Sequence, residues 1–216
     1  MYHVAAILIG YLIGSIPFGL LIARVFGIPD IRKVGSGNIG ATNVWRVAGR
    51  IPGILVMIGD VGKGVASVLV AAIILPPADL TEYFKLASGL AAILGHIFPL
   101  FLRFNGGKGV DTALGMMATL LPVETIIALA IFIIVVTISR YISLGSILAS
   151  FSFFLVVLLE WVLNLDYVHP IYIPVSFLLA VMIIMTHRGN IKRLLNGSES
   201  RFQLHPKMAV GEEKNG

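Results

Sequence analysis

The chain has 216 residues, 57% of them hydrophobic and only 12% charged, with a mean hydropathy of +0.95. That composition leaves too little polar surface to cover a water-soluble globule, and it places the chain among all-α polytopic membrane proteins whose helix bundle shares its apolar surface with lipid. No cysteine is present, which excludes disulfides, thiolate metal ligands and thioester intermediates.

A first apolar segment covers residues 3–26, more than the roughly 20 residues that a bilayer core requires. It is too long for the hydrophobic region of a cleaved leader and lacks a basic start. It is therefore expected to remain as a span, with Gly14, Pro17 and Gly19 as positions of close packing and kinking. A polar island follows from Gly35 to Arg46, reading Gly-Ser-Gly-Asn-Ile-Gly-Ala-Thr-Asn-Val-Trp-Arg. Gly35, Gly37 and Gly40 let the backbone curl with its N–H groups turned inward. Residues 41–50 are then expected to wind as a short helix whose free N–H groups and positive dipole end face the same place. Such an arrangement suits a phosphate. Ser36, Asn38, Thr42 and Asn43 add neutral donors, and Arg46, one turn beyond Thr42, adds a planar charged fork.

Further spans are expected at 51–75, 84–101, 109–121, 123–139, 142–163 and 168–186, giving about seven transmembrane helices, with 109–121 the shortest. Asp60 and Lys63 interrupt the second span three residues apart, on one helical face, where a pair lowers the cost of placing either charge in the membrane. Basic residues bias short loops toward the cytoplasm. With the N-terminus outside, the C-terminus cytoplasmic and every segment crossing, all 16 Lys and Arg except Lys63 and Lys85 fall on the inner side. Asp79, Glu82, Glu124, Glu160 and Asp166 then fall outside. A single domain over 1–200 is expected, with a mobile polar tail over 201–216 that begins to loosen near Glu199. His3, His169 and His205 lie at segment ends or outside and receive no role.

A second polar cluster occupies 95–112, where His96 and Pro99 end the third span and Gly106, Gly107 and Gly109 frame Lys108. The proline disturbs the helix end, and the ammonium with its neighbouring N–H groups can meet an anion at the start of the next helix. This is not a nucleotide P-loop, because Leu102 stands where that motif needs glycine and Gly109 where it needs Ser or Thr. Gly35-x-Gly37-x-x-Gly40 likewise fits a dinucleotide pattern only in letters, since no strand precedes it. The third cluster runs from His187 through Asn190 to Glu199. In a helix, His187 and Asn190 share one face, while Arg188 and Lys192 lie on another and serve as interfacial anchors. Ser143, in the turn after Arg140, can offer a hydroxyl. All of these clusters fall at the inner face, so a single site drawing on four segments is expected there.

Three stretches then carry a resemblance: Gly35-Ser-Gly-Asn-x-Gly-Ala-Thr-Asn-x-x-Arg46, Gly95-His-x-x-Pro with Gly-Gly-Lys108-Gly, and His187-Arg-x-Asn-Ile-x-Arg-Leu. In order, spacing and placement they are similar to the three signatures of the bacterial acyl-phosphate-dependent glycerol-3-phosphate acyltransferase family. The resemblance covers the chain from the first span to about Glu199. It implies a multi-pass inner-membrane enzyme that moves a fatty acyl group from acyl phosphate to the 1-hydroxyl of glycerol 3-phosphate, giving lysophosphatidic acid. Membrane lipids surround it, no cofactor or metal is required, and no nucleic-acid or protein partner is implied. Asp111 and Asn105 depart from the family pattern, which usually has alanine and a basic residue there. A carboxylate three residues after Lys108 is within reach to pair with it, which would weaken its hold on phosphate.

The residues suit that chemistry on their own terms. Two phosphates and a long apolar chain call for a basic, glycine-rich site open to lipid. An acyl phosphate is already activated, so positioning and charge stabilisation suffice. On this reading Ser36, Gly35, Gly37, Asn38, Gly40, Thr42 and Asn43 cradle the acyl phosphate. Arg46, Lys108, His187 and Asn190 hold glycerol 3-phosphate and the developing charge, with Lys63, His96, Gly106, Gly107, Gly109 and Ser143 as further binding residues. The proton acceptor is either His187 or a phosphate oxygen of the donor. The His-x4-Asp pattern of coenzyme-A-dependent acyltransferases is absent. A transporter of a phosphorylated solute is the alternative, but no repeated halves are visible and the charge lies at one face.

Overall fold

A computed structural model describes residues 2–75, 80–165 and 168–204. Asp79, Asp166, His205, Lys207, Lys214 and the rest of the tail lie outside the described residues. Those described are helical, with two short 3-10 turns and no strand among them. They form two compact units, one built on Met1–Thr119, to which Gln203 returns, and one of Leu120–Phe202.

In the first unit, α1 (Tyr2–Gly14) and α2 (Phe18–Val25) make one broken span, interrupted at Ser15, Ile16 and Pro17. The break falls where Pro17 removes a backbone donor, as the sequence predicts. α3 (Ala41–Ala48) is short and is separated by Gly49 from α4 (Arg50–Ile74), while α5 (Thr81–Ile97) leads through a 3-10 turn at Leu100–Leu102 to α6 (Val110–Leu120). The expected helix 41–50 is thus two helices, because Gly49 takes φ +98° and turns the chain between them.

Small residues let these helices approach closely, the usual means of association in lipid. A Cβ on Gly14 would meet the Ala92 backbone, and one on Gly19 would meet the Ile39 carbonyl. Gly64 and Gly115 play the same part between α4 and α6, against Thr112 and Val61. The Ser88 hydroxyl, fully buried, lies 3.0 Å from the Ala6 carbonyl and 2.9 Å from that of Ser67, tying α5 to α1 and α4.

In the second unit, α7 (Pro122–Ser139) packs on α8 (Ile142–Val162), with Gly145 against Val136 and Phe132, and α8 packs on α9 (Tyr172–Thr186). The last span begins later than the predicted 168, since the chain first turns through Pro170, with Tyr172 N–H on the His169 carbonyl. At His187 the chain bends by 61° into α10 (Arg188–Leu195). Glu124 on α7 is buried, and it faces Glu160 on α8.

Among the described residues, five segments are long and apolar enough to cross a bilayer, and the bent pair α9 and α10, taken as one span, makes six. The seventh expected segment, 109–121, is the eleven-residue α6. At 1.5 Å per residue it covers about 16 Å, roughly half of the apolar thickness of a membrane.

Candidate functional site

The island at 35–46 is a loop stitched from within. Gly35 and Gly37 adopt φ of +61° and +74°, which side chains disfavour, and a Cβ on Gly35 would strike the Asn43 side chain and lie 2.8 Å from Val47 Cγ2. Asn43 is 2% exposed. Its Oδ1 accepts the Ser36 N–H at 2.7 Å, and its Nδ2 donates to the carbonyls of Asn38 at 2.8 Å, Val34 at 3.1 Å and Ile31 at 3.4 Å. The expectation that Asn43 offers a donor to substrate is therefore corrected: its polar atoms are consumed by the loop. Asn38 turns its Oδ1 to the Gly40 N–H at 2.8 Å, so Gly40 also spends its donor internally. Gly40 caps α3 without a side-chain bond. Facing outward are the exposed Ser36 and the half-buried Thr42 and Arg46, the last on the final turn of α3.

A common apolar cluster supports this loop and the second turn. Leu20, Ile31, Ile39, Val44 and Val47 share it with Leu102. Two further bonds bring the turn to the break in the first span: the Tyr11 hydroxyl donates to the Phe98 carbonyl at 2.8 Å, and the Leu100 N–H reaches Ser15 Oγ at 3.4 Å. Trp45 Nε1 donates to the Gln203 carbonyl at 3.1 Å, so the chain past Phe202 is held here as well.

The second turn folds back on the helix it leaves. Arg103 and Phe104 both take left-handed φ, 51° and 62°, a conformation that costs a non-glycine residue roughly 1–2 kcal/mol. The strain lets the chain reverse, so that the Gly106 N–H donates to the Ile97 carbonyl and the Gly107 N–H to the His96 carbonyl, each at 3.0 Å. These two glycines cap α5. Their N–H groups are thereby committed, which corrects the expectation that they meet an anion, and Lys108 is delivered half-buried to the start of α6.

His96 and Lys63 are not at the surface of this unit. They are 4% and 3% exposed, and Lys63 Nζ lies 2.9 Å from Asp60 Oδ1, the predicted pair. Asp111 is within electrostatic reach of Asp60 and Lys63 on α4.

The second unit has its own polar cluster. His187 is 2% exposed and its Nδ1 lies 2.8 Å from the Ile183 carbonyl; a neutral ring donating there carries its lone pair on Nε2. Asn190 Nδ2 at 2.6 Å, Ser143 Oγ at 2.7 Å and Arg193 Nε at 2.7 Å all donate to the Glu199 carboxylate. Glu199, expected to begin a mobile tail, is instead a fastener, and just beyond it the Phe202 N–H meets the Arg140 carbonyl at 2.6 Å. Burial pushes the Glu199 carboxyl upward, but the three donors outweigh it and hold the group below its ordinary range. A group depressed in this way adds stability above its unfolded pKa, and that stability is lost as pH falls through the folded one. Glu199→Ala is expected to lose about 2 kcal/mol at pH 7 by leaving three donors unmatched. In thermal unfolding of purified protein, the gap between variant and parent should close below about pH 4.

Helices long and apolar enough to span a membrane, with glycine-shaped loops and cationic side chains at their ends, are those of an integral membrane protein. The chain belongs to the glycerol-3-phosphate acyltransferase family, whose description matches residues 4–197. It is 45% identical over 202 residues to a glycerol-3-phosphate acyltransferase of Geotalea daltonii, covering 93% of this chain and 98% of that one. It is 46% identical over 195 residues to that of Geobacter sulfurreducens, covering 90% and 95%. Among solved structures it is similar to PlsY, an integral membrane glycerol 3-phosphate acyltransferase, in its glycerol 3-phosphate form. There the TM-score is 0.83 at 37% identity, over 94% of this chain and 96% of that one.

Proposed function

We propose that the protein transfers a fatty acyl group from acyl phosphate to the 1-hydroxyl of glycerol 3-phosphate, yielding lysophosphatidic acid and phosphate. The observation that supports this most strongly is the likeness, across nearly the whole chain, to a fold determined in both a glycerol 3-phosphate and a lysophosphatidic acid form. The transfer is direct. The hydroxyl oxygen bonds to the acyl carbon, the bond from that carbon to the phosphate oxygen breaks, and the hydroxyl proton passes to an acceptor. Ser36, Asn38 and Thr42 attend the acyl phosphate, while Arg46 and Lys108 take the phosphate of glycerol 3-phosphate. His187 and Asn190 serve the hydroxyl and the developing charge. The chain crosses the bacterial inner membrane seven times, with α6 as the short crossing, the N-terminus outside and the polar loops cytoplasmic, in keeping with the distribution of Lys and Arg.

Purified protein in detergent, given acyl phosphate and glycerol 3-phosphate, should release lysophosphatidic acid and inorganic phosphate in equal amounts. Product formed only from acyl coenzyme A or an acyl carrier would overturn the donor assignment.

A further inference from the structure

Behind the Lys108 turn lies a group of ionisable side chains that the proposed transfer does not use. Asp60 and Lys63 on α4 and His96 on α5 are each less than 5% exposed. Asp60 Oδ1 lies 2.9 Å from Lys63 Nζ and 3.4 Å from His96 Nδ1, a close approach in which neither His96 Nδ1 nor Asp60 Oδ2 makes a hydrogen bond. Lys63 also donates to the Ile16 carbonyl at 3.1 Å, in the stretch where Pro17 interrupts the first span. The ammonium is thus engaged with α4 and with the broken span. His96 remains as the member that touches the turn, and it does so twice. Its carbonyl accepts the Gly107 N–H, and its ring lies flush against Gly107, so that a Cβ there would overlap Nε2.

A buried carboxylate with an unsatisfied oxygen is costly, and removing one member of such a group usually destabilises more than the pair is worth. Packing alone would be met by an apolar side chain of similar size. What a histidine adds is a ring with one nitrogen toward the carboxylate and the other toward the turn, a difference that selects one ring orientation.

We propose that His96, oriented by Asp60, is a positioning residue for the phosphate-binding turn: it fixes where Gly107 sits and therefore where Lys108 presents its ammonium, without touching substrate. The proposal rests on the reading that Lys108 takes the phosphate of glycerol 3-phosphate. Because that ammonium must meet a phosphate with sub-ångström accuracy, the effect appears in glycerol 3-phosphate recognition and leaves the acyl donor unaffected.

The test compares wild type, His96→Ala, Asp60→Asn, Gly107→Ala and the double variant Gly107→Ala/His96→Ala, each assayed for both substrates and melted in the same detergent. Asp60→Asn keeps side-chain volume, so it reports even if His96→Ala fails to fold. His96→Ala and Gly107→Ala should each raise KM for glycerol 3-phosphate about tenfold or more, with KM for acyl phosphate within about twofold. Asp60→Asn should move in the same direction by less. In the double variant the vacated ring space admits the new Cβ, so the two defects should not multiply and KM should stay near that of His96→Ala. Multiplied defects in the double variant, equal shifts in both KM values, or an unchanged KM in Asp60→Asn would overturn the proposal. Absence of turnover in the wild type would instead overturn the assigned reaction.

Discussion

Lys108→Ala is expected to lower kcat/KM by on the order of 10³-fold while the protein still inserts, purifies and melts within a few degrees of wild type. Lys108 is half-buried at the start of α6 and belongs to none of the apolar clusters, so its loss opens no core cavity. On the proposed reading, what disappears is a point charge that offsets a phosphate dianion in a partly dehydrated place, where one donor is worth more than in water. Lys108→Arg should recover little. Both flanking positions are tight: a Cβ on Gly109 would already lie 3.0 Å from Ile93 and 3.2 Å from Ile97, which leaves a broader guanidinium little freedom to reposition. Steady-state kinetics in both substrates, with a melting curve beside them, decide the matter. Activity within tenfold of wild type would remove Lys108 from the site, and a failure to fold would make its turn structural only.

The parts of this molecule that could be read without coordinates are those governed by local rules. Long apolar runs fixed the main spans, Pro17 marked the break in the first, and the three-residue spacing of Asp60 and Lys63 foretold their contact. Donor direction was not legible. Asn43 has the residue type of an outward donor, yet its partners Ile31 and Val34 lie 12 and 9 positions away. They come within reach only after Gly35 and Gly37 have taken positive φ. Gly106 and Gly107 misled in the same way: glycines that shape an anion loop and glycines that cap a preceding helix look alike in sequence. Glu199 was hidden by composition, since a polar stretch near a chain end suggests mobility, whereas its three partners come from the α8 start and from α10. A carboxylate placed shortly after a helix carrying Asn and Arg was the available signal.

The second large effect concerns His187. His187→Ala is expected to lower kcat/KM by about a hundredfold, and His187→Gln to restore much of that loss while keeping the same pH-rate limbs. The ring is 2% exposed and its Nδ1 is engaged with the Ile183 carbonyl, so alanine removes a fixed hydrogen-bonding nitrogen and leaves a gap behind it. Glutamine returns an amide at similar reach. Acting as general base would require more, because the ring must then carry a positive charge in a buried place, beside Arg188 and on the same segment as Lys192 and Arg193. Burial and like charge both oppose that state. In the proposed reaction the departing phosphate carries enough negative charge to accept the hydroxyl proton without such help. A true general base would contribute roughly 10²- to 10⁴-fold, which glutamine cannot replace, and its removal would erase a limb of the profile. The measurement is therefore the pH-rate profile of His187→Gln at saturating glycerol 3-phosphate. A raised KM with both limbs intact fits a binding role, whereas a vanished limb together with a rate loss beyond about a hundredfold would make His187 the proton acceptor.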